Sequence, residues 1–120
     1  FVVSLEGLSA FYAKGLFGNV GHSWMTSTNR EAEINDYIVY INQVVKTVCN
    51  SGDSISLLGF SQGSQTAARW ASRNNFHQLI MCGGLLPKEI EFNAWDKTSF
   101  LIGDTDKFIN DEQIEDFQSK

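Results

Sequence analysis

The chain has 120 residues, 42% of them hydrophobic and 19% charged, which leaves room for one domain and is the composition of an ordinary globular protein. A net charge of −5, with nine Lys and Arg scattered along the sequence, offers no basic stripe to phosphate backbones and argues against a nucleic-acid partner. No run nears the roughly 18 apolar residues of a membrane helix, so no stable membrane insertion is expected.

Phe1-Val-Val-Ser-Leu5 has the β-branched and aromatic content of a buried strand, ended by Glu6-Gly7. The chain starts without Met inside this apolar run, and no basic n-region precedes it. It therefore reads as the middle of a fold, and no signal peptide is expected. Leu8 to Thr26 shows no sustained period but many aromatics and glycines, and is expected to be a long loop packed over a sheet edge, walling a pocket. Thr28-Asn-Arg-Glu31 is a capping-box pattern. Ile34, Tyr37, Ile38, Ile41, Val44, Val45 and Val48 follow at steps of three and four, which predicts an amphipathic helix ending near Asn50. Its length suits a crossover between parallel strands.

After a Ser51-Gly52-Asp53 turn, Ile55 to Leu58 reads as a short buried strand that bends at Gly59-Phe60-Ser61-Gln62-Gly63 into an Ala-rich helix, Gln62 to Ser72. This is a G-x-S-x-G elbow in its strand-turn-helix setting. A turn this tight strains the central residue, the flanking glycines remove side chains that would collide, and the hydroxyl of Ser61 is lifted clear of the sheet. It also lies at a helix N-terminus, where N–H groups favour developing negative charge, so the Gln62 amide is a candidate oxyanion donor.

Arg73-Asn-Asn75 ends that helix, Leu79 to Cys82 is the next strand, and Gly83-Gly84 ends it before a loop from Leu85-Leu86-Pro87. Thr98 to Ile102 is a further strand, followed by Gly103-Asp-Thr-Asp106 and a helix from Asp111 to Gln118, N-capped by Asn110 or Asp111. The alternation predicts an α/β fold, a mostly parallel sheet with helices on both faces, in a single domain over 1–120. Cys49 and Cys82, without a C-x-x-C or a histidine at metal spacing, read as reduced thiols of a cytoplasmic protein. Neither a metal nor a cofactor is expected.

A serine nucleophile needs a base and an acid that orients the base. Sites of open parallel sheets lie beyond the C-terminal strand ends, where Asp104 and Asp106 are candidate acids, or else carboxylates that solvate a turn. The chain order is Ser, acid, His, and no histidine follows Asp106. His77 precedes a strand and is expected at the opposite end of the sheet. His22, in the aromatic segment, reads as a loop-packing residue.

Four stretches together resemble the phospholipase/carboxylesterase branch of the α/β-hydrolase superfamily, which includes acyl-protein thioesterases, and most closely small predicted esterases of Bacteroidetes-type bacteria. They are Glu6-Gly-Leu-Ser-Ala-Phe-Tyr12, Gly21-His-Ser-Trp-Met-Thr26, Leu58-Gly-Phe-Ser-Gln-Gly63 with Ala67-Ala68 and Trp70-Ala71, and Ile102-Gly-Asp-Thr-Asp-Lys-Phe-Ile109. The resemblance implies Ser61 as nucleophile, Gln62 as oxyanion donor and Asp106, not Asp104, as acid. It puts Trp24 near an acyl pocket, a position that equally suits a core tryptophan; Leu85, from its apolar character alone, is a further candidate lining residue. The second oxyanion loop would then lie before Phe1 and the histidine after Lys120, in an enzyme of about 200 residues. The implied activity is hydrolysis of a small acyl ester, thioester or lysophospholipid, with 1–120 alone inactive. The rival expectation is a non-catalytic α/β protein whose elbow serves binding.

Overall fold

A computed structural model describes residues 1–119, which pack as two compact units, Phe1–Ser51 and the chain from Gly52 onward.

The first unit is a β-hairpin and a long helix. Strands β1 (Ser9–Lys14) and β2 (Phe17–Ser23) pair antiparallel, with Ser9 opposite Ser23 and Phe11 opposite Gly21. The segment read as a loop is thus a hairpin. Its residues are almost all exposed, so neither face imposes the in-and-out alternation by which a strand is recognised. Gly15, at φ 73°, makes the positive-φ turn between the strands. Gly21 is covered by the Phe11 ring, and a Cβ there would stand 2.7 Å from Phe11 Cζ. Phe1 to Leu5 forms no strand and Phe1 and Val2 are exposed; an apolar composition makes a strand only where a partner edge is offered.

Helix α1 (Arg30–Val48) buries Ile34, Tyr37, Ile38 and Ile41, four of the seven periodic positions. Its N-cap is Asn29, with no side-chain cap bond, so the expected Thr28–Glu31 box does not form. Glu33 instead takes the Thr26 N–H at 2.7 Å and the Thr26 hydroxyl at 3.0 Å, anchoring the strand-to-helix link one turn further in.

The second unit is mixed α/β. Strands β3 (Ser56–Phe60), β4 (Gln78–Cys82) and β5 (Thr98–Leu101) form a parallel sheet in the order β3-β4-β5. Leu57, Leu79 and Thr98 lie in one register row, and Phe60, Cys82 and Leu101 in the last. Helix α2 (Gln62–Ala71) presses Ala68 and Ala71 onto Leu79, Met81 and Phe92. Leu79 and Met81 are fully buried, which contributes about 1.5–3 kcal/mol each. A 3₁₀ turn, Trp95–Lys97, precedes β5, and α3 (Asp111–Gln118) brings Phe117 within 4.7 Å of the Phe100 ring.

Phe100 shares the face of Met81, so both helices of this unit lie on one face, not on two as the alternation suggested. The opposite face exposes Leu58, Phe60 and Leu101. Strands added in one direction with crossovers of one hand place the β3–β4 and β4–β5 connections on the same side, and α3, which follows the last strand, packs there through Phe117 on Phe100.

Candidate active site

Three parallel strands ending in one row bring the turns that follow them to one rim. There β3 runs into α2 through Ser61, at φ 52° and ψ −118°, the one non-glycine residue with positive φ among the described residues. Such a backbone costs about 1–3 kcal/mol and persists only where its surroundings over-determine it. Here they do. The Ser61 N–H donates to Cys82 O at 2.8 Å, the Ser64 N–H to Ser61 O at 3.0 Å, and the Gly83 N–H to Leu101 O at 2.8 Å.

Gly59 shows why the elbow is spelled with glycine. A Cβ at that position would run into Gly63 O and stand 2.5 Å from Ser64 Cα, inside the first turn of α2. Gly84 is equally tight, with Ser64 Cβ at 2.8 Å and Ser61 O at 2.9 Å from its would-be Cβ. Strand β3, helix α2 and the end of β4 therefore meet backbone to backbone.

Ser61 is the N-cap residue of α2 but makes no side-chain cap bond. A serine there ordinarily accepts from the second or third helical N–H. The positive φ denies Ser61 that bond, and its side chain is exposed at the rim. Gln62, the first residue of α2, is half-buried beside it.

Asp106 reaches the same rim from the turn after β5. Its Oδ1 accepts the N–H groups of Phe108 at 2.7 Å and Ile109 at 3.0 Å. Its Oδ2 lies 3.7 Å from a Cβ built on Gly83, and the Phe60 ring lies 3.5 Å from the same point. The carboxylate and the elbow thus flank Gly83-Gly84. Asp104 is exposed, whereas Asp106 is half-buried.

The second unit brings no histidine of its own to this rim. The His77 N–H donates to Ile55 O at 2.7 Å, at the start of the strands, the length of β3 or about 17 Å from the rim, as the sequence led one to expect. His22 belongs to the first unit, its Nδ1 3.0 Å from Gly7 O and its Nε2 3.8 Å from Glu6. Trp24 also belongs to the first unit, edge-on to Tyr37 at 5.9 Å. Leu85 follows Gly84 and is half-buried. Two clefts of about 290 and 380 Å³ indent the second unit, and neither is lined by Ser61, Leu85 or Asp106.

Sequence reading missed Ser64 and the Gly83-Gly84 wedge. The spacing of Ser64 three residues after Ser61, one helical turn on, is the signal that could have found it. Among the described residues no three His, Cys, Asp or Glu cluster as metal ligands, and no helix is long and apolar enough to cross a membrane. The chain matches no protein-family model, no curated protein and no solved structure.

Proposed function

We propose that the second unit is part of an α/β-hydrolase fold and carries the nucleophile and the acid of a serine hydrolase of carboxylic esters, thioesters or lysophospholipids. The observation that supports this most is Ser61 itself: exposed, uncapped and at φ 52° where a parallel strand hands over to a helix. Ser61 Oγ would attack the carbonyl carbon, the Gln62 amide would receive the developing oxyanion, and the hydroxyl proton would pass to a histidine oriented by Asp106. The second unit supplies no histidine at this rim, so the base comes from outside it. Asp106 Oδ2 marks where that base would dock.

Chemical rescue tests the reading. Residues 1–120 are expected to label slowly with a fluorophosphonate and to turn over esters near the uncatalysed rate, with added imidazole accelerating labelling at Ser61 and Ser61→Ala abolishing it. No labelling of Ser61 at any imidazole concentration refutes the nucleophile. Fast labelling without imidazole keeps the nucleophile and refutes the external base. The alternative, a non-catalytic α/β protein, draws support from the two loop amides that Asp106 Oδ1 already caps.

A further inference from the structure

The strain at Ser61 needs a restraint, and the sequence motif contains none beyond its glycines. We infer that Ser64 is a positioning residue that locks the elbow. Its side chain is wholly buried, and its Oγ lies 2.8 Å from Gly59 O and 3.0 Å from Cys82 O. Cys82 O also accepts the Ser61 N–H, so the carbonyl that fixes Ser61 from one side is held by Ser64 from the other. The Ser64 N–H closes the ring by donating to Ser61 O.

The single hydroxyl proton is shared between Gly59 O and Cys82 O, so one side chain bridges the end of β3, the end of β4 and the strained residue. A carbonyl oxygen has two lone pairs and serves both donors at once. Alanine would leave Cys82 O and Gly59 O without the buried hydroxyl, and α2 would lose a side-chain tie to both strand ends. The elbow would then relax locally while the rest of the sheet stayed paired. The inference rests on the hydrolase reading only for its effect on labelling rate, because the backbone restraint is a property of the fold.

Native-state amide exchange of the full chain separates the two. In Ser64→Ala the Ser61 amide is expected to exchange about tenfold faster, while the Gly83 amide, bonded to Leu101 O and untouched by Ser64, keeps its wild-type rate. The maximal rate of imidazole-assisted labelling is expected to fall about tenfold with probe affinity unchanged, and Ser64→Cys, a weaker donor of similar size, is expected to recover part of both. An unchanged Ser61 exchange rate, or equal acceleration at Ser61 and Gly83, overturns the inference. Should Ser64→Ala not fold, the same comparison in Ser64→Cys decides it: no selective acceleration at Ser61 overturns it. Absence of labelling in the wild type would remove the hydrolase reading and leave the exchange result standing.

Discussion

Replacing Gly59 by alanine is the sharpest probe of the strand-to-helix join. The added Cβ would overlap Gly63 O and lie 2.5 Å from Ser64 Cα, and both are backbone atoms in the first turn of α2. No rotamer can relieve such a contact. Either α2 moves off the sheet or β3 shifts in register against β4. Overpacking in a tight interior costs about 1–3 kcal/mol when side chains can adjust, so with backbone on both sides about 3 kcal/mol or more is expected. Against a total of about 5–15 kcal/mol that is a large share, and for a domain of this size it corresponds to a fall in Tm of at least about 12 °C. Gly103→Ala is the internal control, since a Cβ there meets nothing within 4 Å and its change is expected to stay within about 0.5 kcal/mol. Urea titrations of both variants followed by circular dichroism make the comparison. If the Gly59 variant is no less stable than the Gly103 variant, the close approach of α2 to β3 is wrong, and with it the cause assigned to the strain at Ser61.

Arg69 is 1% exposed and holds Glu89 through Nε at 2.7 Å, so Glu89→Ala, which removes the carboxylate facing a buried cation, should cost about 3 kcal/mol in urea titration. Arg69→Met should cost less, because Glu89 is about half exposed and returns to water. Asp106→Asn retains an oxygen for the Phe108 and Ile109 amides and is expected to leave Tm nearly unchanged while abolishing imidazole-assisted labelling. Asp104→Asn should alter neither quantity. Asn110 caps α3 reciprocally with Gln113, so Asn110→Ala should cost about 1 kcal/mol, and Thr28→Ala, at the box that does not form, close to nothing.

What the sequence disclosed follows from which faces are buried. The step-of-three-and-four pattern of α1 marked Ile34, Tyr37, Ile38 and Ile41 because one side of that helix is sealed. Strands β3, β4 and β5 were bounded to within a residue or two by apolar runs and by the glycines at Gly59, Gly83 and Gly103. The hairpin escaped because exposed strands carry no alternation, and its glycines imitate a loop. Phe1 to Leu5 misled in the other direction, since composition records a capacity for pairing and not the presence of a neighbour. The side taken by α2 depends on strand order and that of α3 on the contact of Phe117 with Phe100, neither of which a local pattern encodes.

The site was legible where geometry is forced by residue type. Only glycine fits at Gly59, so the elbow could be read from its spelling. Asp104 and Asp106 could not be told apart by composition, because the difference lies in which of them folds back on the amides of Phe108 and Ile109. That capping role does not compete with service as a catalytic acid. A triad carboxylate acts by presenting one oxygen in a fixed direction, and outer hydrogen bonds are what fix it. With Oδ1 clamped by two backbone donors, the carboxylate plane of Asp106 is set, and Oδ2 is left on the side of Gly83 and Phe60, where the elbow rim begins. Asp104, exposed in the preceding turn, has neither the clamp nor the direction.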